Sequence, residues 1–246
     1  MSSARKTPDV QNKNANSFIL VFRKKYQNSF KGSTPSMHQR NCSEHLLKVL
    51  VVGEASTGKT SFIKRYVHHY FSRAYKATIG VDFALKTLQY NSNTLVRLQL
   101  WDIAGQERFG SMTRAYYKGA VGAFLVFDAN SPKTFECVLR WKDDLDSKVS
   151  LSDGSKIPCL LLANKCDLVK VTEHEEKLLE EFAKNNGFIG CVYTSPKDNI
   201  NIEQAATILI NEIMRVQQLV DQGETDTIIM SAREDRERIK KSSCCG

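Results

Sequence analysis

Gly53, Gly58, Lys59 and Thr60 stand at a spacing that suits one kind of chemistry, the holding of a polyphosphate. Ahead of them runs Val49-Leu50-Val51-Val52, an aliphatic and β-branched stretch that reads as a buried strand. Behind them an apolar helical pattern opens, Ser61 to Tyr70. In the turn between, Gly53-Glu54-Ala55-Ser56-Thr57-Gly58, glycines let backbone N–H groups turn inward on an anion. The N-terminus of the following helix adds its dipole. Lys59 would reach the β- and γ-phosphates as a point charge, and the Thr60 hydroxyl would ligate Mg2+.

The elements that position this loop follow a regular alternation. The spacing predicts a strand at 46–52, the phosphate loop, a helix at about 59–70 and an irregular basic stretch through Lys76. Two strand-like runs, Gly80–Gln89 and Thr94–Trp101, are joined by Tyr90-Asn91-Ser92-Asn93 as a turn. Asp102-Ile103-Ala104-Gly105-Gln106 then breaks the sheet. Further strands are read at Gly122–Asp128, Cys159–Ala163 and Gly190–Tyr193, with helices at 133–147, 173–185 and Ile202–Val220. The last shows one apolar stripe at helical spacing, Ile202, Ala205, Ala206, Leu209, Ile210, Ile213 and Met214. Alternating strands and helices imply an α/β domain with a mostly parallel, six-stranded sheet covered on both faces. Ligands of such sheets lie beyond the carboxyl ends of the strands. The phosphate loop, Asp102–Gln106, Asn164-Lys165-Cys166-Asp167 and Thr194-Ser195-Pro196-Lys197 all fall there.

This gives one domain at roughly 46–220, an extension at 1–45 and a tail at 221–246. An apolar content of 41% and a charged content of 25% suit a globular chain with a sizeable core. There is no run of 18 apolar residues to span a membrane. The seven cysteines form no CxxC metal-ligand pair and suit a reducing compartment. The net charge of +8 is concentrated in residues 1–45, with eight Lys/Arg against two Asp/Glu, and the rest is nearly balanced. The arm therefore reads as a solvated, disorder-prone tail in preference to a contact for anionic membrane or RNA, and no nucleic-acid partner is expected. Its burst Phe18-Ile19-Leu20-Val21-Phe22, followed by Arg23-Lys24-Lys25, is too short for a secretory signal. The arm faintly resembles a mitochondrial transit peptide, which is the less favoured address.

In order and spacing, Gly53–Thr60, Thr78, Asp102–Gln106, Asn164–Asp167 and Thr194–Lys197 resemble the five guanine-nucleotide motifs of Ras-superfamily small GTPases. The resemblance covers about seven-tenths of the chain and implies a single P-loop GTPase domain. Ala77–Phe83, Trp101–Phe109 and the terminal Cys-Cys resemble the Rab branch. Ile103, Val81–Lys86 and Leu98–Trp101 are similar to its subgroup of lysosome-related organelles. The family implies GTP or GDP along Gly53, Glu54, Ala55, Ser56, Thr57, Gly58, Lys59, Thr60 and Ser61, with Mg2+ held by Thr60, Thr78 and Asp102. It implies that the Gly105 amide meets the γ-phosphate and that Gln106 orients the attacking water, Lys59 sharing the catalytic work. Thr78 then belongs to a first switch and 102–117 form a second, both released when the phosphate is lost. Base choice falls to Asn164, Lys165 and Asp167, whose carboxylate can accept from two guanine N–H groups that adenine does not offer. Ser195, Pro196 and Lys197 complete that end. Phe71 stands where the family stacks a ring on the base edge, or else is a core aromatic closing the first helix.

Three residues depart from the pattern. Pro196 replaces an alanine whose N–H bonds the guanine oxygen, and proline has none. Such a loss costs about 1–3 kcal/mol. Ser56 and Thr57 replace a glycine and a small apolar residue, and a positive φ at Ser56 would be strained. Weaker guanine binding and slow intrinsic hydrolysis are expected, raised by a partner's arginine. Ile79, Phe83, Trp101 and Tyr116 match the positions that Rab effectors read, although Phe83, Trp101 and Tyr116 would look the same as plain sheet-packing residues. The end Lys240-Lys241-Ser242-Ser243-Cys244-Cys245-Gly246 is not CaaX. It resembles the Rab terminus, which implies geranylgeranyl groups on Cys244 and Cys245, two chains giving firm attachment where one does not. Exchange factor, activating protein, prenylation escort, GDP-dissociation inhibitor and effectors are the implied partners. The expected place is the cytoplasmic face of endosomal, lysosome-related or vesicle membranes, with a cytosolic pool. A poorly hydrolysing scaffold is the second function, and an RNA-binding ATPase, opposed by Asp167, the third.

Overall fold

The computed structural model describes residues 43–106 and 113–219. The apolar burst at 18–22, residues 107–112 of the expected second switch and the pair Cys244-Cys245 lie outside the described residues. In chain order the elements are β1 (Ser43–Val52), α1 (Lys59–His68), β2 (Val81–Asn91), β3 (Thr94–Ile103), α2 (Thr113–Tyr117) and β4 (Gly122–Asp128). There follow α3 (Pro132–Glu136), α4 (Val138–Lys148), β5 (Cys159–Asn164), α5 (Glu173–Asn185) and β6 (Gly190–Thr194). Helix α6 occupies 202–219. The strands make one sheet in the order β2-β3-β1-β4-β5-β6. β2 pairs antiparallel with β3, and the other neighbours run parallel.

Alternation along β1 divides the core. Leu47, Val49 and Val51 pack with Phe62, Ile63 and Tyr66 of α1 and with Leu209 and Ile213 of α6. Leu50 and Val52 point to the other face, into the cluster of Trp141 and Leu145 from α4 and Leu179 from α5. All five of these β1 side chains are fully buried, which is why Val49-Leu50-Val51-Val52 read as one apolar run. The chain leaves β1 toward β3 on one side and returns to β4 on the other, so a crevice opens beyond the carboxyl end of β1.

Some boundaries differ from expectation, for local reasons. β1 begins at Ser43, earlier than the apolar signal at 46, because Ser43 pairs with Thr94 and their hydroxyls lie 3.1 Å apart. α1 stops before Tyr70, since His69 takes a left-handed φ of 58° and its N–H bonds to the Arg65 carbonyl at 3.0 Å. β2 runs on to Asn91 through an irregularity at Gln89, which shortens the turn. The helix read at 133–147 is two, α3 and α4, parted at Cys137 (φ −87°, ψ −8°). Helix α2 was not foreseen; its five residues carry little periodic signal.

Candidate nucleotide site

The phosphate loop is drawn tight by its own side chains. Thr57, fully buried, donates from Oγ1 to the Glu54 carbonyl at 2.9 Å. Lys59 folds back over the loop, its Nζ donating to the carbonyls of Gly53 (2.8 Å) and Glu54 (2.7 Å). Burial pushes the Lys59 ammonium down to about 8, against the pull of Asp102 and Glu54. Ser56 takes a positive φ, 64°, and its Oγ donates to the Tyr75 hydroxyl at 3.2 Å. At Gly58 (φ 95°) a Cβ would stand 2.3 Å from Asn164 Nδ2, so close packing as well as backbone demands glycine.

Three oxygen-bearing side chains from three elements meet beside this loop. Thr60 Oγ1, on the first turn of α1, donates to Asp102 Oδ2 at 2.5 Å and lies 2.8 Å from Thr78 Oγ1. Thr78, in the segment before β2, reaches the same carboxylate oxygen at 3.4 Å. Asp102 is 2% exposed at the end of β3, and its Oδ1 is buried without a hydrogen-bond partner. Burial raises its pKa, opposed by Thr60 and Lys59. An orphaned carboxylate oxygen beside two hydroxyls is a donor set for a hard cation.

Further along the crevice, the Asn164 amide is 1% exposed. It donates to the Thr57 carbonyl at 2.7 Å and accepts from Thr194 Oγ1 at 3.1 Å. Lys165, at φ 63°, pairs with Asp128 at 2.6 Å. Asp167 accepts from Ser195 Oγ (2.6 Å) and Lys197 Nζ (2.9 Å). Burial opposes its ionisation, but those two donors outweigh it and hold the carboxyl below its ordinary range. Ser195 is fully buried and Pro196 sits beside it in the wall.

One cavity of about 350 Å3 runs the length of this arrangement. Ala55, Ser56, Gly58, Lys59, Thr60 and Ser61 line its loop end, Thr78, Gly105 and Gln106 its flank. Phe71, Asn164, Lys165, Asp167, Pro196 and Lys197 line the far end. Phe71 thus stands on the cavity wall, outside both cores. Gly53, Glu54, Thr57, Asp102 and Ser195 are not among the lining residues, but Gly53 and Glu54 bond Lys59, Asp102 bonds Thr60, Ser195 bonds Asp167 and Thr57 bonds Glu54. Gly105 presses on the loop: a Cβ there would lie 2.2 Å from the Ala55 nitrogen.

Of the expected effector residues, Phe83 and Trp101 are cross-strand partners with ring centroids 5.4 Å apart. Tyr116 and Trp101 are half-buried against the core, and Ile79 is 93% exposed. Sequence reasoning missed Arg65. Its guanidinium donates to the carbonyls of Pro196 (2.6 Å), His69 (2.9 Å) and Lys197 (3.1 Å), clamping the base-end loop to α1. No sequence signal marks a side chain that grips backbone 131 residues away.

Residues 48–215 match the Ras family. The chain is 58% identical over 205 residues to Ras-related protein Rab-32 of Homo sapiens, spanning 82% of this chain and 90% of that protein. Against Ras-related protein Rab-32A of Dictyostelium discoideum the identity is 56% over 178 residues, 70% and 80% of the two chains. Against Ras-related protein Rab-7L1 of Homo sapiens it is 54% over 172 residues, 70% and 84%. The chain belongs to the Ras family, as a Rab-type small GTPase similar to the Rab-32 and Rab-7L1 proteins.

Proposed function

We propose that this Rab GTPase, which hydrolyses GTP and acts in vesicle traffic, works as a Mg2+-dependent switch with guanine nucleotide lying along the crevice from Lys59 to Asp167. The observation that carries this is the convergence of Thr60, Thr78 and the orphaned Asp102 carboxylate next to the phosphate loop. The nucleotide domain is taken as 46–220 from the sequence, extended back to Ser43 by the pairing of β1, between an N-terminal extension and the tail 221–246.

Thr60, Thr78 and Asp102 would hold Mg2+, which supplies positive charge against the β- and γ-phosphates. Lys59 would exchange its loop carbonyls for phosphate oxygens. Loop amides from Gly53 to Ser61 would bind the phosphates, and the Gly105 N–H the terminal one. Gln106, exposed on the cavity flank, would orient the attacking water. Asp167 would read the guanine N–H groups, with Ser195 and Lys197 keeping it ionised. Asn164 would brace the loop, and Lys165 and Phe71 would flank the base. Pro196 offers no N–H, so the base is held by fewer donors and affinity falls. The chain would hydrolyse slowly by itself, and an activating protein that lends an arginine would raise the rate about 10³- to 10⁵-fold.

Rab proteins work with exchange factors, activating proteins, dissociation inhibitors and effectors as a class. Here the effector face would be Ile79, Phe83, Trp101 and Tyr116. Lipid on Cys244 and Cys245, fitted with the help of a prenylation escort, would hold the chain on the cytoplasmic face of endosomal or lysosome-related membranes. Among the described residues no helix is long and apolar enough to cross a membrane. A non-cycling scaffold is not favoured, because Lys59, Thr60, Thr78 and Asp102 are gathered in one place.

The test is binding of fluorescent GDP and GTP by the full chain, with and without Mg2+, beside ATP and the Pro196→Ala variant. Tight, Mg2+-dependent guanine binding, strengthened by alanine, is expected. Equal binding of ATP, or none of guanine nucleotide, would overturn it.

A further inference from the structure

We infer that Trp141 is a positioning residue for the phosphate loop: its indole N–H holds the Glu54 carboxylate and so fixes the Glu54–Ala55 peptide between Lys59 and Gly105. Trp141 lies on α4, 1% exposed, in the core with Leu145 and Val138. A buried indole N–H needs an acceptor. It donates to Glu54 Oε1 at 3.0 Å, 87 residues away in the chain. The acceptor is a carboxylate, which makes this bond stronger than one between neutral groups.

Glu54 is the node of the loop. Its carbonyl takes two donors, Lys59 Nζ at 2.7 Å and Thr57 Oγ1 at 2.9 Å. The peptide that follows bears against Gly105, where an added Cβ would come within 2.6 Å of the Glu54 carbonyl carbon and 2.2 Å of the Ala55 nitrogen. Tilting Glu54 therefore moves the seat of Lys59 and the backbone on which Gly105 rests. Helix α4, an eleven-residue helix set in the core, fixes the far end of that lever. Neither residue type is demanded by phosphate chemistry: the glutamate is not among the residues lining the cavity, and the tryptophan reads as core. Together they tie the loop to a helix that the crevice does not touch.

This rests on the crevice binding guanine nucleotide. The test loads the full chain with fluorescent GDP and follows its release into excess unlabelled GDP. Variants are Trp141→Phe, Glu54→Ala, Glu54→Gln and the double Trp141→Phe/Glu54→Ala. Losing a charged hydrogen bond speeds release about tenfold in either single variant. The double is no faster than Glu54→Ala, since Trp141→Phe removes a bond that Glu54→Ala has already removed. Glu54→Gln keeps an acceptor and restores most of the retention. A second readout depends neither on nucleotide nor on how the core repacks around Trp141→Phe. The chain has two tryptophans, and in a Trp101→Phe background the remaining emission, from Trp141, shifts with Glu54→Ala and stays with Glu54→Gln. Release changed by less than about twofold in Glu54→Ala overturns the inference. So does additive behaviour in the double, or an unmoved Trp141 emission. A wild-type chain that does not retain GDP overturns the nucleotide assignment instead, and the emission still decides the bond.

Discussion

Asn164 Nδ2 donates to the Thr57 carbonyl at 2.7 Å, joining the end of β5 to the phosphate loop across 107 residues of chain. The same amide accepts from Thr194 at the end of β6, so three loops are registered by one buried side chain. Asn164→Ala strands a carbonyl and a hydroxyl in the interior, each costing about 1–3 kcal/mol. Urea unfolding of the full chain shows the loss as a lower midpoint, and GDP leaves faster in the same variant. An unchanged midpoint would mean that the amide registers nothing.

Gly105→Ala tests the contact between the second switch and the phosphate loop. A Cβ at 2.2 Å from the Ala55 nitrogen meets backbone, which cannot swing aside. The displaced Gln106 loses its aim, and misplacement of about 1 Å costs on the order of 100-fold. Single-turnover GTP hydrolysis falls accordingly while nucleotide still binds.

Ser56→Gly relieves the left-handed φ of 64° and removes the bond to Tyr75. Strain of about 1–2 kcal/mol outweighs one exposed hydrogen bond. The melting temperature rises by about 2–4 °C per kcal/mol gained. A fall would show that the Tyr75 contact is the stronger of the two.

Lys48 sits 3.7 Å from the Trp101 ring centroid and donates to the Lys118 carbonyl at 2.8 Å. Burial lowers its pKa from 10.5 to about 8. Between those two values the unfolded chain binds the proton and the folded chain does not. Stability from this group therefore rises with pH across that window, and its charged form is fully penalised below it. Tryptophan emission should titrate with a midpoint near pH 8, and the transition should vanish in Lys48→Met.

Sequence carried the fold far because the second half of β1 (49–52), β4 and most of β5 are buried on both faces and show it as apolar runs. The spacing of Gly58, Lys59 and Thr60 told their placement for a similar reason: loop, strand end and helix start are local features. The split at Cys137 was hidden, since Pro132 through Lys148 keep one helical periodicity while the backbone breaks at a single residue. Arg65 gripping Pro196 and Trp141 holding Glu54 were hidden for another reason. Their partners lie 131 and 87 residues away, and a side-chain contact of that kind leaves no pattern in the chain. Pro196 was legible as a lost donor, but only the structure shows its carbonyl put to use by Arg65.

The most direct measurement is the fate of GTP on the full chain. Loaded with GTP in Mg2+, the protein is denatured at intervals and its nucleotide identified by chromatography. Conversion to GDP that stops with a chelator and slows in Gln106→Leu is the predicted result. GTP that stays intact on the wild-type chain with Mg2+ and an activating protein, or that never binds, would contradict a working switch.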